Sequence, residues 1–161
     1  MNELAGDLRA IVDSAAQRLR TVAEEAVLPP GLDGGWSARQ LLGHLIDSAA
    51  NNHGRFVRAQ FVEDLVFPGY DQERWVAAQH YDGEAWSTLV ELWRLYNDHL
   101  AHIIDHIPEA VLLRLRSSHT LEVIAFHPVK ADEPASLDYL IRDYIGHLQH
   151  HLAQLFVLVG S

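Results

Sequence analysis

His147 and His151 stand four residues apart in the segment Asp143-Tyr-Ile-Gly-His147-Leu-Gln-His150-His151-Leu-Ala-Gln154. On an α-helix that spacing places two imidazoles one turn apart on the same face. Two rings held this way are preorganised to share one transition-metal ion, and a third ligand from another helix completes a three-point site. The chain has eleven histidines and no cysteine, so such a centre draws only on nitrogen and oxygen donors. Disulfides, thiolate ligands and a cysteine nucleophile are excluded.

The helix that carries the pair is legible from its apolar residues. Leu137, Leu140, Ile141, Tyr144, Leu148, Leu152, Leu155 and Val159 fall on one arc at 100° per residue. His151 lies roughly 70° from the centre of that arc, His147 roughly 110° and His150 roughly 170°. His151 is thus expected to face inward, His147 to sit at the boundary and His150 to meet solvent. Asp143, one turn before His147, is placed to orient an imidazole N–H.

Three further segments show the same periodicity: about 3–26, 37 to about 65, and about 84–107. The first stops at Pro29-Pro30 and the third at Pro108, because proline cannot continue a helix. Ser37-Ala-Arg-Gln40 reads as a capping box, with Ser37 accepting the Gln40 amide and the Gln40 side chain returning to the cap. The fourth helix spans about 136–159, after Pro134. An aromatic connection, 67–83, joins the second and third segments. Residues 109–115 suggest one short turn, and 118–130 an irregular or briefly extended excursion. Four long helices with two long connections make an all-α chain, a four-helix bundle with crossovers.

Candidates for the third ligand divide on their faces. His53 lies within the apolar arc of the second helix, so facing alone nominates it first. His44, Ser48, Asn51 and Arg55 form a polar stripe away from that arc, either solvated surface or the lining of a pocket between helices. His99, His102 and His106 in the third helix form a rival set on its polar side. His80, His119 and His127 sit in connections with no spacing signal. No glycine-rich phosphate loop, no G-x-S-x-G elbow and no Glu-x-x-His repeat of a di-iron bundle is present.

The bulk composition narrows the class. The 161 residues suit one domain over 1–161 with a single core, 48% hydrophobic and 21% charged, and the net charge is −10. That acidity argues against nucleic acid or an acidic membrane surface as partner. The charged N-terminal segment is not a signal peptide, and no run reaches the roughly 20 apolar residues of a membrane span. A soluble, cytoplasmic protein is expected.

Several pieces together resemble the DinB-like superfamily, which contains the YfiT-type metal-dependent hydrolases and the small-thiol S-transferases. They are Trp36-Ser37-x-x-Gln40, His44-Leu-Ile-Asp47-Ser48, Asn52 with Arg55-Phe56, Tyr70-Asp71-Gln72-x-x-Trp75-Val76, and His147-x-x-His150-His151-x-x-Gln154. The likeness spans almost the whole chain. It implies a four-helix bundle, often a homodimer, with three histidines on a divalent metal such as nickel or zinc. Carried over by motif, the ligands are His44, His147 and His151, which sets the resemblance against the facing argument for His53. Gln40 stands where the family usually has Glu.

The implied chemistry is hydrolysis at a three-histidine metal with an open position for water or substrate, and Asp47 or Asp143 as general base. The alternatives are metal-dependent transfer to a small thiol, and a non-catalytic stress-response protein that binds metal or a small ligand. The substrate is an unidentified small molecule.

Overall fold

A computed structural model describes residues 2–160 of the chain. Its helices are α1 (Glu3–Leu19), α2 (Ala38–Arg58), α3 (Gln72–Gln79), α4 (Trp86–Asp105), α5 (Glu109–Leu112), α6 (Leu121–Ile124) and α7 (Leu137–Val159). The four long ones, α1, α2, α4 and α7, are the four expected from periodicity. No strand forms among the described residues; two isolated bridges, Leu65 with His119 and Arg116 with Ala135, tie the connections together.

Each long helix packs on two others: α1 and α2 both lie against α4 and α7. Helices adjacent in the sequence, α1 with α2 and α4 with α7, therefore face each other diagonally across the bundle. Directions follow from end-to-end contacts. The Asn2 amide at the start of α1 donates to Asp105 at the end of α4, so that pair is antiparallel. Arg18, late in α1, stacks on Phe156, late in α7, so those two run parallel. The core between them is a continuous apolar cluster built around Trp93, Phe56, Leu42, Leu45, Leu100 and Leu137.

Local chemistry sets the helix ends. Ser37 Oγ accepts the Gln40 amide at 3.2 Å, and Gln40 Oε1 accepts the Ser37 amide at 3.0 Å, the reciprocal cap read from the sequence. Helix α1 ends seven residues before the expected position near Ala26. The Thr21 hydroxyl donates to the Arg18 carbonyl at 2.7 Å, a local bond that competes with the helical ladder. The chain continues as a 3₁₀ turn over Glu24–Val27. Helix α2 likewise stops at Arg58 rather than near Leu65.

The aromatic connection contains a helix that periodicity does not reveal. Asp71 caps α3 by accepting the Arg74 amide at 3.1 Å, and only Val76 of that helix is buried. Beyond it, Tyr81 lies flat against α2 at Gly43, where any Cβ would run into the tyrosine ring. That close approach lets the Tyr81 hydroxyl reach into the bundle and donate to Asp47 Oδ1 at 2.6 Å.

Candidate metal centre

Helices α2 and α7 run antiparallel side by side, which sets His44 against His151 and Ser48 against His147. The nearest ring nitrogens, Nε2 of His44 and Nε2 of His147, are 3.2 Å apart. Among the described residues, His44, His147 and His151 form a group whose ligand atoms all lie within 4.8 Å of one another. Two nitrogens bound tetrahedrally at about 2.0–2.1 Å sit about 3.4 Å apart. The His44–His147 spacing meets that requirement, and the third ligand atom lies within 4.8 Å of both. Two lone pairs cannot face each other at this distance without something between them, a shared proton or a cation.

His44 is completely buried, although its stripe lies off the apolar arc of α2. The polar stripe faces the groove between α2 and α7, a pocket lining rather than a surface. His53, the residue that facing favours, points elsewhere: its ring packs edge-on to Tyr96 and His99 of α4, at 5.7 and 5.4 Å. His102 and His106 pack on each other at 4.4 Å on the exposed side of α4. On α7, His150 is exposed, whereas His147 and His151 are half-buried.

Neighbouring groups orient the rings. His151 Nδ1 donates to Gln154 Oε1 at 2.7 Å, which leaves Nε2 as the free lone pair. His147 Nδ1 has Ser48 Oγ at 3.4 Å. The His44 ring is held by packing, 4.9 Å from the Trp36 ring, and its Nδ1 is buried without a partner.

Burial also fixes the protonation state. It pushes His44 down to about 4, with the neighbouring His151 adding to the effect. It pushes His147 down to about 3, helped by His151, His44 and His150. His151 is lowered as well, mainly by burial and against the opposing pull of Gln154. All three are thus neutral near pH 7, the form that binds metal. Three converging, desolvated, neutral imidazoles fit a divalent transition-metal ion.

The two carboxylates read from the sequence occupy different places. Asp143 is buried and accepts the backbone amides of Phe126 and His127, each at 2.7 Å, with His127 Nδ1 at 3.1 Å. It thereby pins the loop after α6 over the site, where the Phe126 ring sits 5.4 Å from His147. Asp47 receives the Tyr81 hydroxyl and the Gln79 amide on Oδ1, while Oδ2 is buried without a partner. Its pKa is raised because burial outweighs those two hydrogen bonds.

Two clefts meet at His151. One, about 780 Å³, is largely apolar and runs between Trp36, Leu41, Val76, Val157 and Leu158. The other, about 340 Å³, is polar and contains Ser48, Asn52, Arg55, Tyr70, Asp143 and His147. Asp143 lines the second, and Asp47 lines neither. The polar cleft contains residues that a search for metal ligands passes over. Tyr70 is one, its hydroxyl pushed up to about 12 by burial and by the nearby Asp47. Arg55 is the other; its place on the stripe with His44 is the signal that finds it.

Residues 7–155 match the family model of the DinB superfamily. The chain is 25% identical over 140 residues to the Bacillus subtilis (strain 168) protein YfiT, which covers 86% of this chain and 72% of YfiT. It is 27% identical over 155 residues to a protein of Bacillus licheniformis, covering 93% of this chain and 80% of the relative. Both relatives carry the name metal-dependent hydrolase as a provisional assignment. The solved structure of YfiT, described as a four-helix bundle of unusual topology, superposes with a TM-score of 0.74 at 20% identity. It covers 98% of this chain and 87% of that one. The shared fold is thereby established.

Proposed function

This chain belongs to the DinB superfamily, and on that premise we propose that it is a metal-dependent hydrolase of a small molecule. His44, His147 and His151 would hold the ion, zinc or nickel. The observation that carries the reading is the convergence of three neutral imidazoles, of which His151 lines both clefts and His147 the polar one. A divalent ion there supplies Lewis acidity toward water and a carbonyl.

The protein's own groups do the rest. Gln154 keeps His151 in the tautomer whose Nε2 faces the site. Phe126 covers His147 and restricts water on that side. Asp143 is the carboxylate we assign to proton transfer. Two backbone amides fix its plane, Oδ1 also takes His127 Nδ1 while Oδ2 retains a further lone pair, and it shares the polar cleft with His147. Asp47 is assigned a positioning role, joining the Tyr81 segment to α2.

The meeting of two clefts of opposite character favours one further reading, transfer between two bound substrates with a small thiol as acceptor. Tag-free protein loaded with zinc or nickel and assayed on ester, amide and thiol-transfer panels separates the two. Turnover on esters or amides that disappears in His151→Ala supports the hydrolase. Turnover that requires a thiol supports the transferase. Stoichiometric metal without turnover on any panel points to a non-catalytic metal-binding protein.

A further inference from the structure

Among the described residues three arginines are deeply buried, and they are held in three different ways. Arg39 pairs with the Glu24 carboxylate. Arg116 donates to three backbone carbonyls, those of Arg114, Ala59 and Val111. Arg55 has neither arrangement. It is 7% exposed, yet its guanidinium makes only a 3.4 Å contact to Asn52 Oδ1 and a 3.2 Å bond to the Pro68 carbonyl. Among the described residues no carboxylate lies within salt-bridge distance of it. A guanidinium carries five N–H donors, and leaving a buried charge unpaired is expensive.

The charge is aimed into the polar cleft, where Ser48, Tyr70 and Gln72 add neutral hydrogen-bonding groups and His147 and His151 form the metal end. We propose that this cleft is a carboxylate-recognition subsite: the substrate carries a carboxylate that pairs with Arg55 while its reacting group lies at the three histidines. A carboxylate suits the fork geometry of a guanidinium. A dianionic phosphate does not suit the site, because Arg55 is the one permanently charged cation lining the cleft and Asp143 already contributes a negative charge there. This assignment rests on the metal reading for the position of the reacting group, but not for the anion contact itself.

The probes are monohydroxamates of malonate, succinate and glutarate, whose hydroxamate end chelates metal and whose carboxylate lies one to three methylene groups away. Each is compared by calorimetry with its carboxamide counterpart on zinc-loaded protein. At one spacer length the carboxylate form is expected to bind at least tenfold tighter. Arg55→Met abolishes that preference, Arg55→Lys retains part of it, and acetohydroxamate binds all three proteins alike. Acetohydroxamate binding with no carboxylate preference at any length, or a preference surviving in Arg55→Met, overturns the subsite and leaves the metal centre standing. Failure of every hydroxamate to bind overturns the metal centre instead. The subsite is then decided on metal-free protein by whether glutarate shifts the Arg55 Nε–H resonance in nitrogen-15 spectra, that resonance being assigned by its loss in Arg55→Met or, if Arg55→Met does not fold, in Arg55→Lys.

Discussion

A histidine's identity says little until its neighbours are known, and the five histidines of α2 and α7 show how much the neighbours decide. His150 and His151 are adjacent, yet one meets solvent and the other lies between two clefts. Replacing His147 by Ala is therefore expected to remove bound metal nearly completely, whereas His150→Ala leaves it unchanged; elemental analysis of tag-free protein checks both. The depressed imidazoles also give stability a definite pH dependence. The unfolded chain takes up protons below about 6.5, whereas His44 in the folded chain does so only near 4 and His147 near 3. Stability contributed by these groups is level above pH 6.5 and falls as pH drops toward 4, at up to about 1.4 kcal/mol per pH unit for each group. Urea midpoints of metal-free protein between pH 7.5 and 4.5 should show that decline, and His147→Gln should make it shallower.

At the scale of elements, the sequence exposed what periodicity can carry. The four long helices and the Ser37 cap are readable because apolar spacing and capping chemistry are local. The arc on α7 correctly separated His150 from His147 and His151. The arc on α2 misled, because a polar stripe inside an interhelical groove and one on the surface have the same pattern; only the packing of α7 on α2 distinguishes them. His53 fitted the arc but turned toward His99 and Tyr96. Helix α3 has no signature in the apolar spacing because it buries only Val76, although the Asp71 cap is a usable signal. Gly43 had no reading in the sequence at all, since its importance comes from Tyr81, nearly forty residues later. Gly43→Ala should push the Tyr81 ring off α2, break its bond to Asp47 and destabilise the protein by about 1–3 kcal/mol. Thermal unfolding measures the loss, and a Tyr81→Ala background should largely suppress it.

Considered whole, the bundle joins helices that are far apart in sequence. Among the described residues no helix is long and apolar enough to cross a membrane. The candidate centre takes one ligand from α2 and two from α7, so an ion there ties the first third of the chain to its last helix. Zinc at a hundredfold excess over its Kd should raise unfolding stability by about 2.7 kcal/mol. For a chain of this size that is a Tm rise on the order of 5–10 °C. A chelator should reverse it, and His44→Ala should show no rise at all. Scanning calorimetry with and without zinc is sufficient.

The diagonal placement of α4 and α7 has a practical corollary. The connection between them ends in an exposed turn, where Glu133 bonds back to Lys130. Severing the polypeptide between Ala131 and Asp132 would give one fragment with a single coordinating imidazole and a second with two. Neither half could chelate tightly alone, so their reassembly should be gated by the cation, and the pair would act as a split reporter that zinc switches on.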